Sequence, residues 1–399
     1  MTSSLSLERS DAPPRARGPM RPTPPARAAV PDPDLDPPPA TTTPDPLMIR
    51  AMKGQQTERA PAWMMRQAGR YQQSYRDLAR RYPSFRERSE TTDLIVEITM
   101  QPYESFQPDG LILFSDILTP LPALGVPFEI DDLRGPVLDR TIRDPSGLSM
   151  LQPLDLSQVA FVGDALTELR KRAEAAPTRP AVLGFVGCPW TMATYVVEGG
   201  ASPAYKTIKG MTRSDPDTLK QLLAHLADAL ADYACFQIDS GAEAIQLFDS
   251  WGGQLPPHVW DEWSGPYIRR VVDGVKARHP DVPLTLYVNN SGGVLERMGG
   301  TGVDSVGLDW TLDMTDARRR LGDKTAVQGN VDPVVLFGDH GGVREAVETC
   351  LVKARGAPGH VLNLGHGVMV GTPEEAVAAF FDHNRAMTRE RLQELYPEK

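Results

Sequence analysis

Short apolar runs alternate with longer helical patterns eight times along this chain, and this alternation constrains the fold more than any other feature. Several runs are almost continuously apolar, which is typical of parallel strands covered on both faces. The runs are APAWMM (60–65), GLILFS (110–115), AVLGFVG (181–187), AIQLFDS (244–250), PLTLYVN (283–289), SVGLDW (305–310), TAVQGN (325–330) and HVLNLGH (360–366). Eight such repeats predict the α/β class and a single (β/α)8 TIM barrel.

Helical patterns separate most of these runs. The segment 215–241 begins with an Asp-Pro capping signal and ends at a glycine. The other helical patterns cover 93–106, 156–176, 256–280, 341–356 and 372–387. A doubly wound open sheet is the alternative, but it would need a glycine-rich phosphate loop after an early strand, and neither GxGxxG nor GxxxxGKS/T occurs.

The N-terminal segment differs in composition from the rest of the chain. It contains 13 prolines and no apolar periodicity, so we predict a disordered, proline-rich tail at 1–47 and a barrel domain at 48–395. Its arginines suggest a transit peptide, but its six acids oppose that interpretation, and translation could also start at Met20 or Met48. The segment lacks the apolar core of a secretory signal, and no part of the chain reaches the ~20 apolar residues that span a membrane.

Charge and cysteine content exclude several functions. The formal net charge of −10 argues against a general nucleic-acid binder, because duplex binding needs a broad basic face. Cys188, Cys235 and Cys350 are far apart and lack the spacing of a disulfide framework or of a cysteine-based zinc site. We therefore expect reduced, buried thiols in a cytoplasmic protein without a metal site.

Arginines nevertheless gather in one segment, because residues 59–90 contain eight arginines and only three acids. Arg66 and Arg70 follow the first apolar run and would lie one turn apart if RQAGRY began a helix. Guanidinium groups bind carboxylates or phosphates through a bidentate fork. A solvated basic helix face is the alternative, and it suits four later arginines better than Arg66, which lies inside an apolar segment. These four are Arg80, Arg81, Arg86 and Arg88.

Polar residues occur at or just after the ends of the predicted strands. They are Arg66, Asp116, Cys188, Ser250, Asn289, Asn290, Asp309, Gln328, Asn330 and His366. In a parallel barrel the carboxyl ends of the strands meet at one mouth, where active sites lie. A single polar residue at a strand end can simply meet solvent, but so many together predict a site at the mouth.

Several of these positions suggest chemistry. The Asp116 carboxylate follows a strongly apolar run, so it should be partly desolvated and paired with cations or N–H donors, unless it caps the next helix. An apolar wall is predicted from Trp190, Met192 and Tyr195, although such residues are often core. Ser250 and His366 could form a triad with Asp116, but no GxSxG motif supports it.

A basic mouth, an aromatic wall and one desolvated carboxylate indicate a large, poly-anionic ligand with a flat apolar centre. The sequence contains no metal, flavin or nucleotide motif, so the chemistry is expected to use the substrate's own electronics and no cofactor. The surface outside the mouth can remain acidic, which reconciles the net charge with the arginine cluster.

Longer segments resemble the uroporphyrinogen decarboxylase family. PAWMMRQAGRY (61–71) and GFVGCPWTMATYVVEGG (184–200) are similar to its two signature segments, and further similar segments follow in the family's order: ILFSDILTPLPALG, AIQLFDSWGG, VGLDWT, AVQGNVDP and NLGHG. The resemblance covers roughly residues 48–390. It implies a barrel that forms homodimers and converts uroporphyrinogen III to coproporphyrinogen III in heme biosynthesis, by removing four acetate carboxylates without a cofactor. The substrate's eight carboxylates would explain the arginine cluster.

The resemblance also implies roles for individual residues. Asp116 would accept hydrogen bonds from pyrrole N–H groups and stabilise positive charge in the ring, and Arg66 would be a candidate for proton transfer. The positions that match the family's substrate contacts are Arg66, Gln67, Ala68, Gly69, Arg70, Asp116, Tyr195, Ser250 and His366. Family members often have a basic residue at the position of Ala79, where this chain has Arg80 next to it, and LYVNNSGG (286–293) supports no assignment.

Three other functions remain open from the sequence. A cobalamin-linked methyltransferase of the same fold would hold zinc with His and Cys residues, which are not suitably spaced here. A non-catalytic tetrapyrrole carrier would be expected to lack Asp116. A decarboxylase of another small acid would not need so many arginines.

Overall fold

The computed structural model describes residues 45–131 and 135–397, and its centre is a parallel sheet. The strands are β1 (Gly110–Ile112), β2 (Glu129–Asp131), β3 (Gly135–Val137), β4 (Ala181–Gly187), β5 (Ala244–Asp249), β6 (Leu284–Val288), β7 (Ser305–Gly307), β8 (Ala326–Gln328) and β9 (His360–Val361). The sheet has the order β1-β4-β5-β6-β7-β8-β9, and β2 and β3 form a separate antiparallel hairpin. Seven of the eight predicted runs therefore contain a strand.

The first apolar run closes the sheet into a barrel, although it forms an isolated bridge rather than a strand. Ala62 bridges Leu362 in the parallel sense, and the Leu362 N–H donates to the Pro61 carbonyl at 2.8 Å. On its other side, the Ala62 carbonyl accepts from the Asp109 N–H at 2.8 Å, just before β1. The run thus fills the place between β9 and β1, and the predicted single (β/α)8 barrel is confirmed.

Helices surround the barrel. Those of the described residues are α1 (Leu47–Met52), α2 (Gln73–Arg81), α3 (Phe85–Glu90), α4 (Thr92–Phe106), α5 (Ala160–Ala175), α6 (Pro189–Glu198), α7 (Lys206–Ser214), α8 (Pro216–Asp239), α9 (Pro257–Trp263), α10 (Gly265–Arg278), α11 (Leu295–Gly299), α12 (Met314–Leu321), α13 (His340–Lys353), α14 (Glu374–Ala386) and α15 (Arg389–Leu395). All six predicted helical patterns coincide with helices.

Local chemistry sets several helix boundaries. Asp215 caps α8, because its side chain accepts from the Thr218 N–H at 3.3 Å, and Pro216 occupies the first turn. The predicted helix over 256–280 is divided into α9 and α10 at Ser264. Pro266 explains the division, since a proline is tolerated in the first turn of a helix but not in its interior.

The end of the predicted tail and the hairpin of β2 and β3 differ from what the sequence indicates. Residues 1–44 of the predicted tail lie outside the described residues, whereas Leu47, its last residue, is the first residue of α1. The hairpin of β2 and β3 was not predicted, because its strands are short and none of their described residues is buried.

Side chains from distant strands meet inside the barrel and fill it beneath the mouth. Trp63 donates from its indole N–H to Oε1 of Gln328 on β8 at 3.0 Å, and Gln328 Nε2 donates to Gln246 on β5 at 3.2 Å. An aromatic layer contains Phe248, whose ring centroid lies 5.7 Å from that of Phe185 and 6.2 Å from that of Tyr287. The barrel interior is therefore a packed core, and the candidate site lies above it at the carboxyl ends of the strands.

Candidate active site at the barrel mouth

The loop after the first apolar run carries Arg66 and Arg70. It forms turns instead of the helix considered for RQAGRY, and Arg66 has a left-handed backbone conformation with a φ of 59°. The buried Gln67 side chain fixes the loop, because its Oε1 accepts from the Met64 N–H at 3.2 Å and its Nε2 donates to the Gly110 carbonyl at 2.9 Å. The side chain of Gln67 thus anchors the loop that carries the two arginines.

This loop conformation leaves several hydrogen-bond donors unused. The backbone N–H groups of Ala68, Gly69 and Arg70 have no acceptor within the described part of the chain. The side chains of Arg66 and Arg70 are exposed. Consecutive backbone N–H groups next to two guanidinium groups favour anions. The loop therefore has the chemistry of a carboxylate-binding surface.

Asp116 follows β1 and is half-buried. One carboxylate oxygen, Oδ1, accepts from the Leu118 N–H at 2.8 Å, which makes a local turn and not the helix cap considered from the sequence. The other oxygen has no hydrogen-bond donor among residues 45–131 and 135–397. Desolvation raises the pKa of Asp116, while the Leu118 N–H and the charge of Arg66 act in the opposite direction. The site thus holds a carboxylate with one free oxygen.

Arg66 is the electrostatic centre of the mouth. Burial and, to a smaller extent, the nearby Asp116 charge raise the pKa of Tyr195 to about 12, and the charge of Arg66 acts in the opposite direction. Burial also lowers the pKa of His366, and the positive charge of Arg66 adds to that effect. Because one guanidinium influences Asp116, Tyr195 and His366, the barrel brings these predicted residues into one electrostatic neighbourhood.

Tyr195 and Ser250 lie on neighbouring elements of the mouth. Tyr195 is half-buried on α6, with its ring centroid 6.0 Å from that of Trp251. Ser250 immediately follows β5, is half-buried, and makes no hydrogen bond to another described residue through its hydroxyl. Trp190 and Met192 are 1% and 0% exposed, so both belong to the core, which was the alternative considered from the sequence. The aromatic wall of the mouth is formed by Tyr195 and Trp251.

His366 is held between aromatic rings at the end of the last barrel run. Its ring centroid lies 6.3 Å from that of Tyr287 and 5.8 Å from that of Trp310, both edge-on. Gly367 permits close contact with Arg66, because a Cβ atom there would lie 2.5 Å from Arg66 Cδ. The glycine next to His366 therefore accommodates the arginine side chain itself.

The proposed Ser250–His366–Asp116 triad is not formed in the described structure. His366 Nδ1 accepts from the Gly367 N–H at 2.6 Å, and the bonded oxygen of Asp116 faces Leu118. No hydrogen bond joins any two of the three side chains within the described residues. The three residues lie at the same mouth, but they do not form a chain of hydrogen bonds that could relay a proton.

Other polar strand ends support loops instead of facing a ligand. Asp309 is fully buried and accepts from the backbone N–H groups of Ser291 at 2.6 Å and Thr311 at 2.8 Å. Asn330 donates to the Asp309 and Leu312 carbonyls at 2.9 Å and 2.8 Å. Gln328 lies in the barrel interior and Cys188 is 2% exposed. These polar strand ends therefore hold loops and fill the barrel, and the candidate site depends on the remaining ones.

Arg88 also differs from its predicted place on a solvated helix face. It is only 7% exposed, and its guanidinium lies 5.7 Å from the ring centroid of Tyr75 and 5.9 Å from that of Phe85. It donates to the carbonyls of Tyr82 and Pro83. The charge pattern could not reveal this position, because the aromatic partners come from two different helices.

The other three arginines predicted to lie on a solvated helix face, Arg80, Arg81 and Arg86, are at least partly exposed. Arg80 is exposed and lies 2.6 Å from Asp77, whereas Arg81 is exposed and lies 3.8 Å from Glu97. Arg86 is partly exposed and bonds to Glu90 at 2.9 Å. Arg80 thus forms a surface ion pair next to Ala79.

Residues important to the mouth were also missed by sequence reasoning. Tyr287 is buried, and its hydroxyl donates to the Gly365 carbonyl at 2.9 Å, which steadies the loop of His366. Trp251 and Trp310 contact Tyr195 and His366 respectively. Each follows or ends an apolar run, but only the register of the strands shows which of these aromatic residues faces the mouth.

Comparison with known proteins identifies the family. The family model described as "Uroporphyrinogen decarboxylase (URO-D)" matches residues 43–387. This chain belongs to the uroporphyrinogen decarboxylase family. It is 56% identical over 354 residues to "Uroporphyrinogen decarboxylase 1, chloroplastic" of Oryza sativa subsp. japonica, covering 88% of this chain and 87% of that protein. It is 54% identical over 338 residues to a uroporphyrinogen decarboxylase of Prochlorococcus marinus (strain MIT 9303), covering 84% of this chain and 95% of the relative.

A solved structure of lower identity shares the fold of this family member. A methyltransferase from Methanosarcina mazei superimposes with a TM-score of 0.69 at 17% identity, covering 85% of this chain and 97% of the other. Within residues 45–131 and 135–397, no three His, Cys, Asp or Glu side chains are grouped so that they could hold a metal ion. None of the helices in those ranges has the length and apolar character needed to cross a membrane.

Proposed function

We propose that this chain decarboxylates the four acetate side chains of uroporphyrinogen III to give coproporphyrinogen III, a step of heme biosynthesis. Membership of the uroporphyrinogen decarboxylase family supports this activity. The observation that carries it is the half-buried carboxylate of Asp116, which keeps one oxygen free beside the positive charge of Arg66. Such a group can accept N–H donors from a substrate whose edges are anionic.

The proposed reaction uses the pyrrole ring as its electron sink. A proton adds to a ring carbon and produces an iminium-like cation, and the electron pair of the bond to the carboxylate then flows into that cation. Carbon dioxide leaves, the exocyclic carbon takes up a proton to become a methyl group, and the ring carbon gives up its proton. Each turn therefore replaces one carboxylate by one hydrogen, and no electron is gained or lost overall.

Asp116 supplies the stabilising charge in this proposal. Its free oxygen accepts the pyrrole N–H groups, and a preorganised carboxylate in a partly desolvated site stabilises the ring cation more strongly than water would. The Leu118 N–H holds the other oxygen at 2.8 Å, so the carboxylate need not reorient during the reaction. Arg66 is a candidate for proton transfer to the ring.

The rest of the mouth would bind the side chains of the macrocycle. The guanidinium groups of Arg66 and Arg70, with the unused N–H groups of Ala68 to Arg70, suit acetate and propionate carboxylates. Gln67 would contribute by holding this loop in shape. Tyr195 and Ser250 would contact the macrocycle from α6 and the end of β5. His366 would contact it beside Arg66, in its neutral form because burial lowers its pKa. No organic or metal cofactor takes part in the proposal.

We further propose that the chain acts as a homodimer in the cytoplasm. An exposed apolar patch near the mouth supports the dimer and contains Trp310, Val334, Phe337, Met369 and Val370. Cytoplasmic location follows from the sequence argument alone, and the rice relative is named chloroplastic. Imaging a fluorescent fusion of the full chain in cells of the source organism tests it, and an organelle-restricted signal would contradict the cytoplasmic assignment.

The proposed domain organisation is a dispensable tail at 1–47 and a barrel domain at 48–395. Deleting residues 1–44 retains α1 and should leave melting temperature and turnover unchanged. A large loss of either would contradict the division.

An anaerobic assay with uroporphyrinogen III tests the activity. Products separated by carboxyl number should pass from eight carboxylates through seven, six and five to four. The same assay with a small aromatic acetic acid should yield no carbon dioxide. Unchanged octacarboxylate after incubation with folded protein would contradict the proposal, and tight binding without turnover would indicate a carrier.

A further inference from the structure

A fully buried carboxylate, Asp249, directly precedes Ser250 at the mouth. Asp249 is the last residue of β5 and is 0% exposed. Its Oδ1 accepts from the Thr191 hydroxyl on α6 at 2.7 Å, and its Oδ2 accepts from the Ser264 hydroxyl between α9 and α10 at 2.7 Å. Both hydroxyl residues are also 0% exposed, so a strand end and two helical segments meet at this one group.

Burial of the Asp249 carboxylate at this position is unfavourable for the free energy of folding. No salt bridge joins Asp249 to a Lys, Arg or His of the described residues, and hydroxyl groups satisfy its oxygens instead. Burial of a carboxylate without a cation opposes folding, whereas an apolar side chain of similar size would not carry that cost. Its presence is explained if the geometry that it imposes on its neighbours is useful.

That geometry extends directly to the site. The Thr191 hydroxyl donates to Asp249 and also accepts from the backbone N–H of Trp251 at 3.1 Å. Ser250 lies between Asp249 and Trp251, so the residues on both sides of it are tied to the same hydroxyl. Thr191 also precedes Tyr195 by four residues on α6, which places the two one helical turn apart.

Two further features tighten this arrangement. The Trp251 ring centroid lies 6.0 Å from that of Tyr195 and 5.1 Å from that of Tyr205. Gly252 lets the chain turn directly over the carboxylate, because a Cβ atom there would lie 1.9 Å from Asp249 Oδ2. The anchored turn therefore presents Trp251 to Tyr195 in a fixed orientation.

We propose that Thr191 and Asp249 form a positioning pair, which aligns Ser250 and Tyr195 at the mouth for the porphyrinogen ring. This inference deepens the proposed function and rests on it. Neither residue contacts the macrocycle; both act through the Ser250–Trp251 turn and through α6. The pair sets where the reacting pyrrole lies relative to Asp116, while the arginine loop holds the outer carboxylates independently.

Substitution of Thr191 tests the connection from Asp249 through the Thr191 hydroxyl to the Trp251 N–H. Substitution of Ser264 provides a matched control. Thr191→Val keeps the shape of the side chain but breaks both the bond to Asp249 and the bond from Trp251. Ser264→Ala removes a bond of equal length from the other oxygen of the same carboxylate, and it leaves the bond from the Trp251 N–H to the Thr191 hydroxyl in place. Thr191→Ser retains the hydroxyl and serves as the conservative rescue. All variants are compared with the full-length wild type by melting temperature, kcat and KM for uroporphyrinogen III.

The kinetic expectation is a selective loss in kcat. Thr191→Val should lower kcat about tenfold or more and change KM less than about threefold, because small misplacement of a reacting group costs rate while the arginines still bind the carboxylates. Ser264→Ala should have a lower melting temperature than wild type but an unchanged kcat. Thr191→Ser should have a kcat close to that of wild type. Wild-type kcat in Thr191→Val, or an equal loss of kcat in Ser264→Ala, would overturn the proposal.

A readout without substrate separates this inference from the proposed activity. The chain has six tryptophans, so protein labelled with 5-fluorotryptophan should give six fluorine resonances, and Trp251→Phe assigns one of them. The Trp251 resonance should shift in Thr191→Val and remain in place in Ser264→Ala and Thr191→Ser. An unmoved resonance in Thr191→Val overturns the positioning pair even if decarboxylation is observed, whereas an inactive wild type with the expected shift overturns only the proposed activity.

Discussion

Two carboxylates at the mouth end of this barrel differ in how their oxygens are satisfied. Asp249 has a buried hydroxyl donor on each of its two oxygens and is 0% exposed, so a ligand at the mouth does not reach it. One oxygen of Asp116 accepts a hydrogen bond from the Leu118 N–H, and the other has no donor among the described residues. Desolvation raises the pKa of both groups. At the residue scale, therefore, unused hydrogen-bonding capacity distinguishes the candidate catalytic group from a structural one.

Replacement of Asp116 tests its electrostatic role. Asp116→Asn keeps the size of the side chain and an acceptor for the Leu118 N–H but removes the charge. We expect kcat for uroporphyrinogen III to fall on the order of 10²-fold or more, with a smaller change in KM because the arginines still bind carboxylates. Steady-state kinetics on protein that melts within a few degrees of wild type measures this. Near-normal kcat would refute the mechanism.

Replacement of Arg66 tests its planar guanidinium group. Arg66→Lys keeps the charge but loses the bidentate fork and alters the contact with Gly367. We expect kcat/KM to fall at least tenfold if Arg66 holds a carboxylate through two hydrogen bonds. Arg80→Lys is the matched control, because Arg80 is exposed and paired with Asp77 at the surface. Equal, small losses in both variants would show that Arg66 is only a solvated charge.

At the scale of secondary structure, the sequence predicts those strands that are buried on both faces of the sheet. β4 is buried at all seven positions, so an uninterrupted apolar run was sufficient to identify it. The hairpin of β2 and β3 carries no such signal. The positioning pair and the buried Arg88 were also invisible, because buried polar residues are defined by partners distant in sequence. The predicted site residues followed from strand ends and from family resemblance, not from periodicity.

Arg88 should stabilise the packing between α2 and α3. Its guanidinium contacts the rings of Tyr75 and Phe85 and donates to two backbone carbonyls. Arg88→Met keeps much of the length but loses these interactions, so we expect the free energy of unfolding to fall by about 1–3 kcal/mol. Arg81→Met, at an exposed position, should change it by less than about 0.5 kcal/mol. Denaturant unfolding measures both, and equal stability of the two variants would contradict the assignment.

His360, the first residue of β9, should make the barrel sensitive to acid. Burial lowers its pKa from 6.5 to about 4, against the smaller effect of its hydrogen bond to the Gly329 carbonyl. The folded state therefore favours the neutral ring, so this contribution to stability is complete above pH 6.5 and is lost as the pH falls towards 4. Melting temperatures across that range should fall more steeply for wild type than for His360→Gln. Parallel profiles would exclude this contribution.

At the scale of the whole molecule, charge is divided between the mouth and the remaining surface. The chain has a formal net charge of −10, yet Arg66, Arg70 and three unused N–H groups lie together on one loop. A poly-anion is repelled by most of such a surface and attracted to the basic loop, which directs it to the mouth. In the proposed function, the acidic surface and the basic loop would therefore act together in recognising the substrate.

The apolar patch near the mouth leads to the final prediction, a homodimer. Val334 and Phe337 are 58% and 46% exposed in the loop after β8, and Val370 is 62% exposed in the loop that follows His366. These loops are adjacent, because a Cβ atom on Gly371 would lie 3.8 Å from Phe337. Contiguous exposed apolar surface of this kind marks a protein interface, and a second copy covering it would bring two mouths close together.

Sedimentation of wild type at micromolar concentration should give about twice the chain mass of 43.7 kDa. Phe337→Glu with Val370→Glu should give the monomer mass, because a charge on each side of a two-fold interface is desolvated and faces like charges. Leu395→Glu is the control, since Leu395 is 44% exposed on α15 outside the patch, and it should leave the dimer intact. A monomeric wild type would refute the dimer without affecting the chemistry. A double variant that remains dimeric would show that the interface lies elsewhere on the barrel.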